Sequence, residues 1–102
     1  MCGRGRRRAA DANARRSAES YLELMGFSRQ GLIEQLEFEG HSTEDATYAV
    51  DSLDVDWYEQ AARVAQSYLD VMPFSRQGLV DQLVFEGFSS EEAAHGADAV
   101  GL

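Results

Sequence analysis

The chain contains one stretch twice, FSRQGLIEQLEFEG at residues 27–40 and FSRQGLVDQLVFEG at residues 74–87. The shift of 47 positions continues without a gap when residues 18–53 are aligned with residues 65–100, and 20 of those 36 positions are identical. A repeat this regular predicts one small structural unit that is made twice. A structural feature found in one copy is therefore expected in the other.

The part of each copy that precedes this stretch has the spacing of a helix. In the second copy, residues with spacings of 4, 3, 1, 3 and 4 are Trp57, Ala61, Val64, Ala65, Tyr68 and Met72. The first copy has Ala10, Ala14, Ser17, Ala18, Tyr21 and Met25 at the same positions. This spacing gives a helix one apolar face. Asp54 or Asp56 is suited to cap the helix of the second copy, and Gly26 and Pro73 are suited to end the two helices.

The repeated stretch itself predicts a second, shorter helix. Ser28 and its equivalent Ser75 stand where an N-cap belongs, and Gly40 and Gly87 stand where a helix ends in the left-handed conformation. Gly31 falls in the first turn, where glycine costs about 0.5 to 1 kcal/mol relative to alanine. Because the second copy also has glycine there, we expect a close backbone approach at this point, to the first helix.

A third helix follows a sharp turn in each copy. Ser89 and Glu92 form the pattern of a capping box, and Ser42 with Asp45 is its shorter relative. Three helices with a sharp turn between the last two make a helix-turn-helix arrangement. The sequence thus predicts an all-α fold of two tandem three-helix helix-turn-helix repeats. The predicted cores are centred on Tyr21, Leu22, Leu32, Leu36 and Val50 and on Tyr68, Leu69, Leu79, Leu83 and Val100.

Charge is divided unevenly along the chain. Residues 1–16 hold six Arg against one acidic residue, whereas residues 17–102 hold three Arg, no Lys and 17 acidic residues. Clustered positive charge with glycine and few apolar residues predicts a disordered Arg-rich leader at residues 1–9. The two helix-turn-helix repeats are then expected at residues 10–53 and residues 54–102.

The acidic body argues against nucleic acid and membrane-spanning functions. Duplex binding depends on Lys and Arg that displace counterions from phosphate, and a body this acidic repels phosphate. No run of about 18 apolar residues is present to span a bilayer, and no apolar segment precedes a cleavage site. We therefore expect no nucleic acid partner for the acidic body and no transmembrane segment in this chain.

The sequence contains no pattern for catalysis or metal binding. Ser28 and Ser75 invite comparison with nucleophiles, but no histidine lies at a matched position in both copies, so capping is the favoured interpretation. Cys2 is the single cysteine, which excludes an internal disulfide. A hydrolase that uses carboxylates is an alternative, but the acidic residues are spread over every helix, as on solvated faces. We expect no enzyme activity, no catalytic residue, no cofactor and no metal.

The repeat resembles a known family. The residues that carry the resemblance are Ser20-Tyr21-Leu22, Met25, residues 27–33, residues 35–40, residues 46–51 and residues 55–57. They are similar to the tandem repeat of the Ltp-like host cell surface-exposed lipoproteins, over roughly residues 14–102. The resemblance implies a helix-turn-helix unit that is usually carried outside the cell on a lipid anchor. The family's signal peptide and lipobox are expected at the front, where this sequence has Met1–Arg8.

The resemblance also implies a function and a partner. Members from prophages are associated with superinfection exclusion, in which DNA entry by a second phage is blocked and the phage tape measure protein is the implied target. Many other members are uncharacterised bacterial surface proteins. The expected function is therefore a non-enzymatic protein-binding module that blocks DNA injection from a membrane-anchored, extracellular position. The alternatives are a helix-turn-helix DNA-binding protein and a surface protein with no phage role.

Acid-rich edges beside an apolar anchor are the expected binding site for a basic protein segment. Electrostatic matching of this kind chiefly raises the rate of association. Phe38 and Phe85 are the expected apolar anchors. The expected partner-binding residues are Glu34, Glu37, Phe38, Glu39, Glu44, Asp45, Asp81, Phe85, Glu86, Glu91 and Glu92.

Overall fold

Six helices make up the regular structure of the part of the chain that is described. The computed structural model describes the backbone of residues 2–102 and the side chains of residues 12–102. The helices are α1 (Cys2–Leu24), α2 (Arg29–Phe38), α3 (Thr43–Asp51), α4 (Trp57–Val71), α5 (Arg76–Phe85) and α6 (Ser90–Ala99). No strand occurs within residues 2–102. The prediction of an all-α fold with two tandem three-helix helix-turn-helix repeats is confirmed.

The predicted disordered leader at residues 1–9 falls largely outside the described side chains. The bounds of α1 begin at Cys2. Met1 and the side chains up to Asp11 lie outside the described residues, so the prediction of a disordered leader stays a prediction.

Side-chain caps begin the helices where the sequence predicts them. The Ser75 hydroxyl accepts the N–H of Gly78 at 3.0 Å at the start of α5. Ser89 and Glu92 form the predicted capping box at the start of α6. Asp56 caps α4 by accepting two N–H groups of the first turn. Each cap satisfies backbone donors that have no partner inside the helix.

Each helix-turn-helix corner is closed by a glycine in the left-handed conformation. The φ angle is 107° at Gly40 and 113° at Gly87. The N–H of the next residue donates back to the carbonyl oxygen of Leu36 in the first copy and of Leu83 in the second, at 3.1 Å in both. This is the Schellman ending, and glycine adopts its φ without steric cost. One backbone conformation therefore sets the sharp turn in both copies.

Asp54 adopts a left-handed conformation at the end of the first copy. Its φ angle is 52°, and Gly101, which lies 47 positions later, has a φ angle of 90°. A residue with a Cβ atom is disfavoured in this region. The first copy therefore carries backbone strain that glycine relieves in the second.

Contacts between Cα atoms divide the chain into two compact units. The first unit comprises the chain up to Leu24 together with Leu32–Val55. Within it, α1 packs on α3. Its buried apolar side chains are Ala14, Ala18, Leu32, Ile33, Leu36, Ala46, Ala49 and Val50. The alanines let α1 and α3 approach closely, and α2 contributes the larger buried side chains Leu32, Ile33 and Leu36.

The second unit comprises Met25–Gly31 together with Asp56–Leu102. Within it, α4 packs on α5 and α6, and α5 packs on α6. Its buried cluster consists of Ala61, Ala65, Leu79, Leu83, Phe88, Ala93 and Ala97. A Cβ atom added to Gly96 would lie 2.9 Å from the carbonyl oxygen of Ala61. Because that distance leaves no room for a side chain, α6 meets α4 backbone to backbone at this point.

Five of the ten predicted core residues are fully buried in the structure. The largest fully buried side chains are Leu32, Leu36, Val50, Leu79 and Leu83. Half-buried positions are Tyr21, Leu22, Tyr68, Leu69 and Val100. Phe88 is 3% exposed and belongs to the core of the second unit, although sequence reasoning missed it. It follows Gly87, where a Schellman ending brings an apolar residue back onto the helix.

Two methionines predicted on the apolar face of the first helix are exposed instead. Met25 is 56% exposed and Met72 is 53% exposed. The helices end one residue earlier, at Leu24 and Val71, so helical spacing no longer fixes where the methionine side chains point. The prediction is wrong at these two positions.

The predicted close approach at Gly31 exists, but its partner is different. A Cβ atom at Gly31 would lie 2.9 Å from the hydroxyl oxygen of Ser28, and one at Gly78 would lie 3.0 Å from that of Ser75. Glycine is therefore placed where the capping hydroxyl comes close to the helix. The expectation that the first helix makes this approach is wrong.

Candidate functional site

Each unit presents one phenylalanine to solvent at its helix-turn-helix corner. Phe38 is the last residue of α2, and Phe85 is the last residue of α5. The two side chains are 87% and 85% exposed. Burying a side chain of this size would contribute about 1.5 to 3 kcal/mol to folding, and neither position gains that contribution. Folding of the units therefore does not explain an aromatic residue at both corners.

The acidic residues predicted for the first copy lie on both sides of the turn between α2 and α3. They are Glu34 and Glu37 on α2, Glu39 directly after it, and Glu44 and Asp45 in the first turn of α3. Glu37 accepts a hydrogen bond from the hydroxyl of Thr43. The N–H of Asp45 donates to the Ser42 hydroxyl at 3.1 Å. The acidic set thus surrounds one corner, and part of it also stabilises the start of α3 through the helix dipole.

The acidic residues predicted for the second copy surround the turn between α5 and α6. They are Asp81 on α5, Glu86 directly after it, and Glu91 and Glu92 in the first turn of α6. Asp81 accepts a hydrogen bond from Gln77 at 2.8 Å. The Tyr58 hydroxyl donates to Glu91 at 3.4 Å. These carboxylates therefore have partners inside the unit while their side chains stay at its surface.

A tyrosine, a glutamine and a glutamate form the same hydrogen-bonded group in each unit. The members are Tyr21, Gln35 and Glu39 in the first unit and Tyr68, Gln82 and Glu86 in the second. The tyrosine hydroxyl donates to the glutamate and accepts from the glutamine amide, at 3.3 Å in the first unit and 3.2 Å in the second. Sequence reasoning missed this group. The identity of all three residues in both copies is the signal that could have identified it.

These hydrogen bonds change the acidity of the tyrosines. The bond to Glu39 is the main cause that raises the pKa of Tyr21. For Tyr68, burial is the main cause of a raised pKa, and the bond to Glu86 adds to it. The carboxylate favours the protonated hydroxyl in both cases, since the tyrosinate form could not donate a hydrogen bond. The tyrosine therefore holds the glutamate beside the corner at neutral pH.

The serines considered as nucleophiles are used as caps. Ser28 is 3% exposed; its hydroxyl donates to the carbonyl oxygen of Glu86 at 2.6 Å and accepts the N–H of Gly31 at 2.9 Å. The Ser75 hydroxyl accepts a backbone N–H at the start of α5. Within the described residues, no three His, Cys, Asp or Glu side chains lie together in a way that could hold a metal ion.

A protein-family model matches the chain twice. The family is described as host cell surface-exposed lipoprotein, and the two matches cover residues 10–53 and residues 56–100. The chain belongs to this lipoprotein family. Its tandem repeat is the repeat of the family, which confirms the resemblance. A search of curated proteins found no match, and neither did a search of solved structures.

Both corners of this lipoprotein-family chain lie inside the matched segments. The first match contains Phe38 and the acidic residues around it, and the second contains Phe85 and its neighbours. The family description refers to proteins exposed at the host cell surface. Among residues 2–102, no helix has both the length and the apolar character that crossing a membrane requires.

Proposed function

We propose that the two repeats form a non-enzymatic module that binds a basic segment of a phage protein at the host cell surface. The binding would block DNA injection by a second phage, and the tape measure protein is the proposed target. The observation that carries the proposal is the exposed aromatic side chain at the same corner of both units, Phe38 and Phe85. Aromatic side chains are frequent energetic centres of protein interfaces.

The acidic residues around each corner support a basic partner. Residues 17–102 carry 17 acidic residues and three Arg, so the field around the repeats attracts positive charge. Such attraction raises the association rate and weakens as salt screens it over a Debye length of about 8 to 10 Å. An aromatic anchor that is surrounded by carboxylates fits a segment in which Lys or Arg alternates with apolar residues.

We propose a module without enzyme activity because the serine hydroxyl groups considered as nucleophiles have structural partners. The Ser28 hydroxyl has both a donor and an acceptor partner in the backbone, and the Ser75 hydroxyl accepts at a cap. We further propose that a lipid anchor holds the repeats outside the membrane. The family description supports a surface position for this chain.

A phage challenge of cells that display the protein tests the proposal. The full chain is displayed on a lipid anchor in a phage-sensitive host, and plaques are counted for wild type and for the double variant with Phe38→Ala and Phe85→Ala. An interface hot spot contributes about 2 kcal/mol or more, which is about thirtyfold in affinity. We expect the double variant to lose most of the protection.

Tyr48→Ala is the matched control, since Tyr48 is an exposed aromatic residue in the middle of α3. It should leave protection unchanged at equal surface display. A further variant with Gln at Glu34, Glu37, Glu39 and Glu86 and Asn at Asp81 tests the charge contribution. Equal plaque counts with and without the wild-type protein would refute exclusion of the phages used. Full protection by the charge variant would refute the acidic-corner mechanism and leave exclusion standing.

A further inference from the structure

The second unit contains an open groove of about 300 Å³ between α4 and the segment Met25–Gly31. Its aliphatic lining residues are Met25, Val64 and Val71. Tyr68 and Glu86, the hydrogen-bonded pair described above, also line it. The groove is therefore an apolar trough with one carboxylate in its lining.

The rim of the groove is freely accessible. Val71 is 81% exposed and Met25 is 56% exposed, although both are apolar residues that line it. Sites for small organic ligands are usually clefts of about 300 to 1,000 Å³ that enclose most of the ligand. A trough at the lower end of that range with an exposed rim fits a side chain of a protein segment better than an enclosed small molecule.

The wall of the groove is held in place by buried polar contacts. The N–H of Phe27 donates at 3.1 Å to the side-chain oxygen of Gln60, which is 8% exposed. The Ser28 hydroxyl donates to the backbone carbonyl of Glu86 at 2.6 Å. A Cβ atom at Gly26 would lie 2.9 Å from Cγ2 of Val64, so glycine lets the segment approach α4 closely. A binding site that is formed in advance loses less conformational entropy when the ligand binds.

The charge at the groove selects the kind of segment. Glu86 is the carboxylate among the lining residues, and the Tyr68 hydroxyl donates a hydrogen bond to it. The Arg63 guanidinium donates to the side-chain oxygen of Gln60 at 3.5 Å, and Arg63 is not a lining residue of the groove. The carboxylate and the surrounding acidic body therefore favour a cation beside the apolar side chain.

We infer that the groove of the second unit binds a protein segment in which a long apolar side chain, such as Leu or Met, is flanked by Lys or Arg. The apolar side chain fills the trough against Val64 and Val71, and the cation pairs with the Glu86 carboxylate. The inference rests on the proposed function to the extent that the partner is a basic protein segment. It adds a contact site on α4, which the corner residues do not include.

A peptide titration of the full chain tests the groove directly. The probe is a short amidated peptide with Leu flanked by Lys on both sides, and two control peptides replace Leu by Ser or Lys by Glu. Binding is followed by NMR of the methyl groups of Met25, Val64 and Val71. We expect saturable shifts of these methyl signals with the Leu–Lys peptide, and affinities at least about tenfold weaker with both controls.

Val71→Glu and Leu24→Glu form a matched pair of variants. Val71 and Leu24 are equivalent positions of the two copies, and they are 81% and 79% exposed, but Leu24 does not line the groove. Val71→Glu should weaken binding of the Leu–Lys peptide about tenfold or more, because the Leu side chain would then pack against a carboxylate that loses its water. Leu24→Glu should change the affinity by less than about twofold. Circular dichroism of both variants checks that the helices are intact.

Three other results would overturn the inference. Shifts confined to the surroundings of Phe38 and Phe85 would assign the peptide to the corners and leave the proposed function standing. Equal effects of the two variants would show that general charge, and not the groove, decides the affinity. Self-association of the chain that Val71→Glu abolishes would assign the groove to a second copy. Saturable binding in the groove without phage protection would instead refute the proposed function and support the groove.

Discussion

Replacing Leu83 with alanine is the sharpest test of the packing described for the second unit. Leu83 is fully buried, and the change removes three carbon atoms. At about 0.8 kcal/mol for each buried carbon, the transfer contribution is about 2.4 kcal/mol. The cavity adds to this cost where the surroundings cannot collapse. Collapse is restricted here, because α6 already meets the backbone of α4 at Gly96.

We therefore expect Leu83→Ala to lower the free energy of unfolding by about 3 to 5 kcal/mol. Urea unfolding followed by far-ultraviolet circular dichroism measures the change. Phe85→Ala is the control on the same helix: it removes a larger apolar side chain that is 85% exposed, and it should change stability by less than about 0.5 kcal/mol. A loss below about 0.5 kcal/mol for Leu83→Ala would refute the burial pattern of α5, and so would a loss above about 0.5 kcal/mol for Phe85→Ala.

Three further predictions concern pH, backbone strain and nucleic acid. The pKa of Tyr68 is raised above its ordinary value of 10.0 in the folded chain. The stability that Tyr68 contributes should therefore persist up to about pH 10 and be lost as the pH rises further. The free energy of unfolding of Tyr68→Phe, measured across that range, should lack this loss. Asp54→Gly should raise the free energy of unfolding by about 0.5 to 1 kcal/mol by relieving the left-handed conformation, and a lower melting temperature would contradict this. A chain with the six Arg of residues 1–16 replaced by Gln should not shift duplex DNA at about 0.15 M salt, and sequence-specific retention would contradict the protein-binding proposal.

Local sequence patterns predicted the helices and the centre of each core. The capping serines, the left-handed glycines and the leucines of the repeated stretch act within a few residues along the chain. Leu36 and Leu83 were predicted as core residues because they occupy the same helical position in both copies, and both are fully buried. The same comparison predicted Phe38 and Phe85 as anchors, and the structure shows that both side chains are exposed.

Features that depend on distant contacts could not be predicted in this way. The Ser28 hydroxyl reaches the carbonyl of Glu86, which lies 58 positions away in the sequence. No local pattern contains that pairing, so the groove that it supports was missed. Met25 was placed on a helical face by its spacing, whereas it lies in the segment Met25–Gly31, which packs with the second unit. Because the two copies were treated as equivalent, the core position of Phe88 was not predicted.

The boundary between the two sequence copies does not coincide with the boundary between the two packed units. The segment Met25–Gly31 belongs to the first copy by its sequence and to the second unit by its contacts. Ser28 and Ser75 therefore occupy equivalent positions of the repeat but have different contacts. Replacing Ser75 would remove one capping bond, whereas replacing Ser28 would also remove the bond to Glu86. One substitution made at the same position of the two copies should therefore cost more stability at Ser28 than at Ser75.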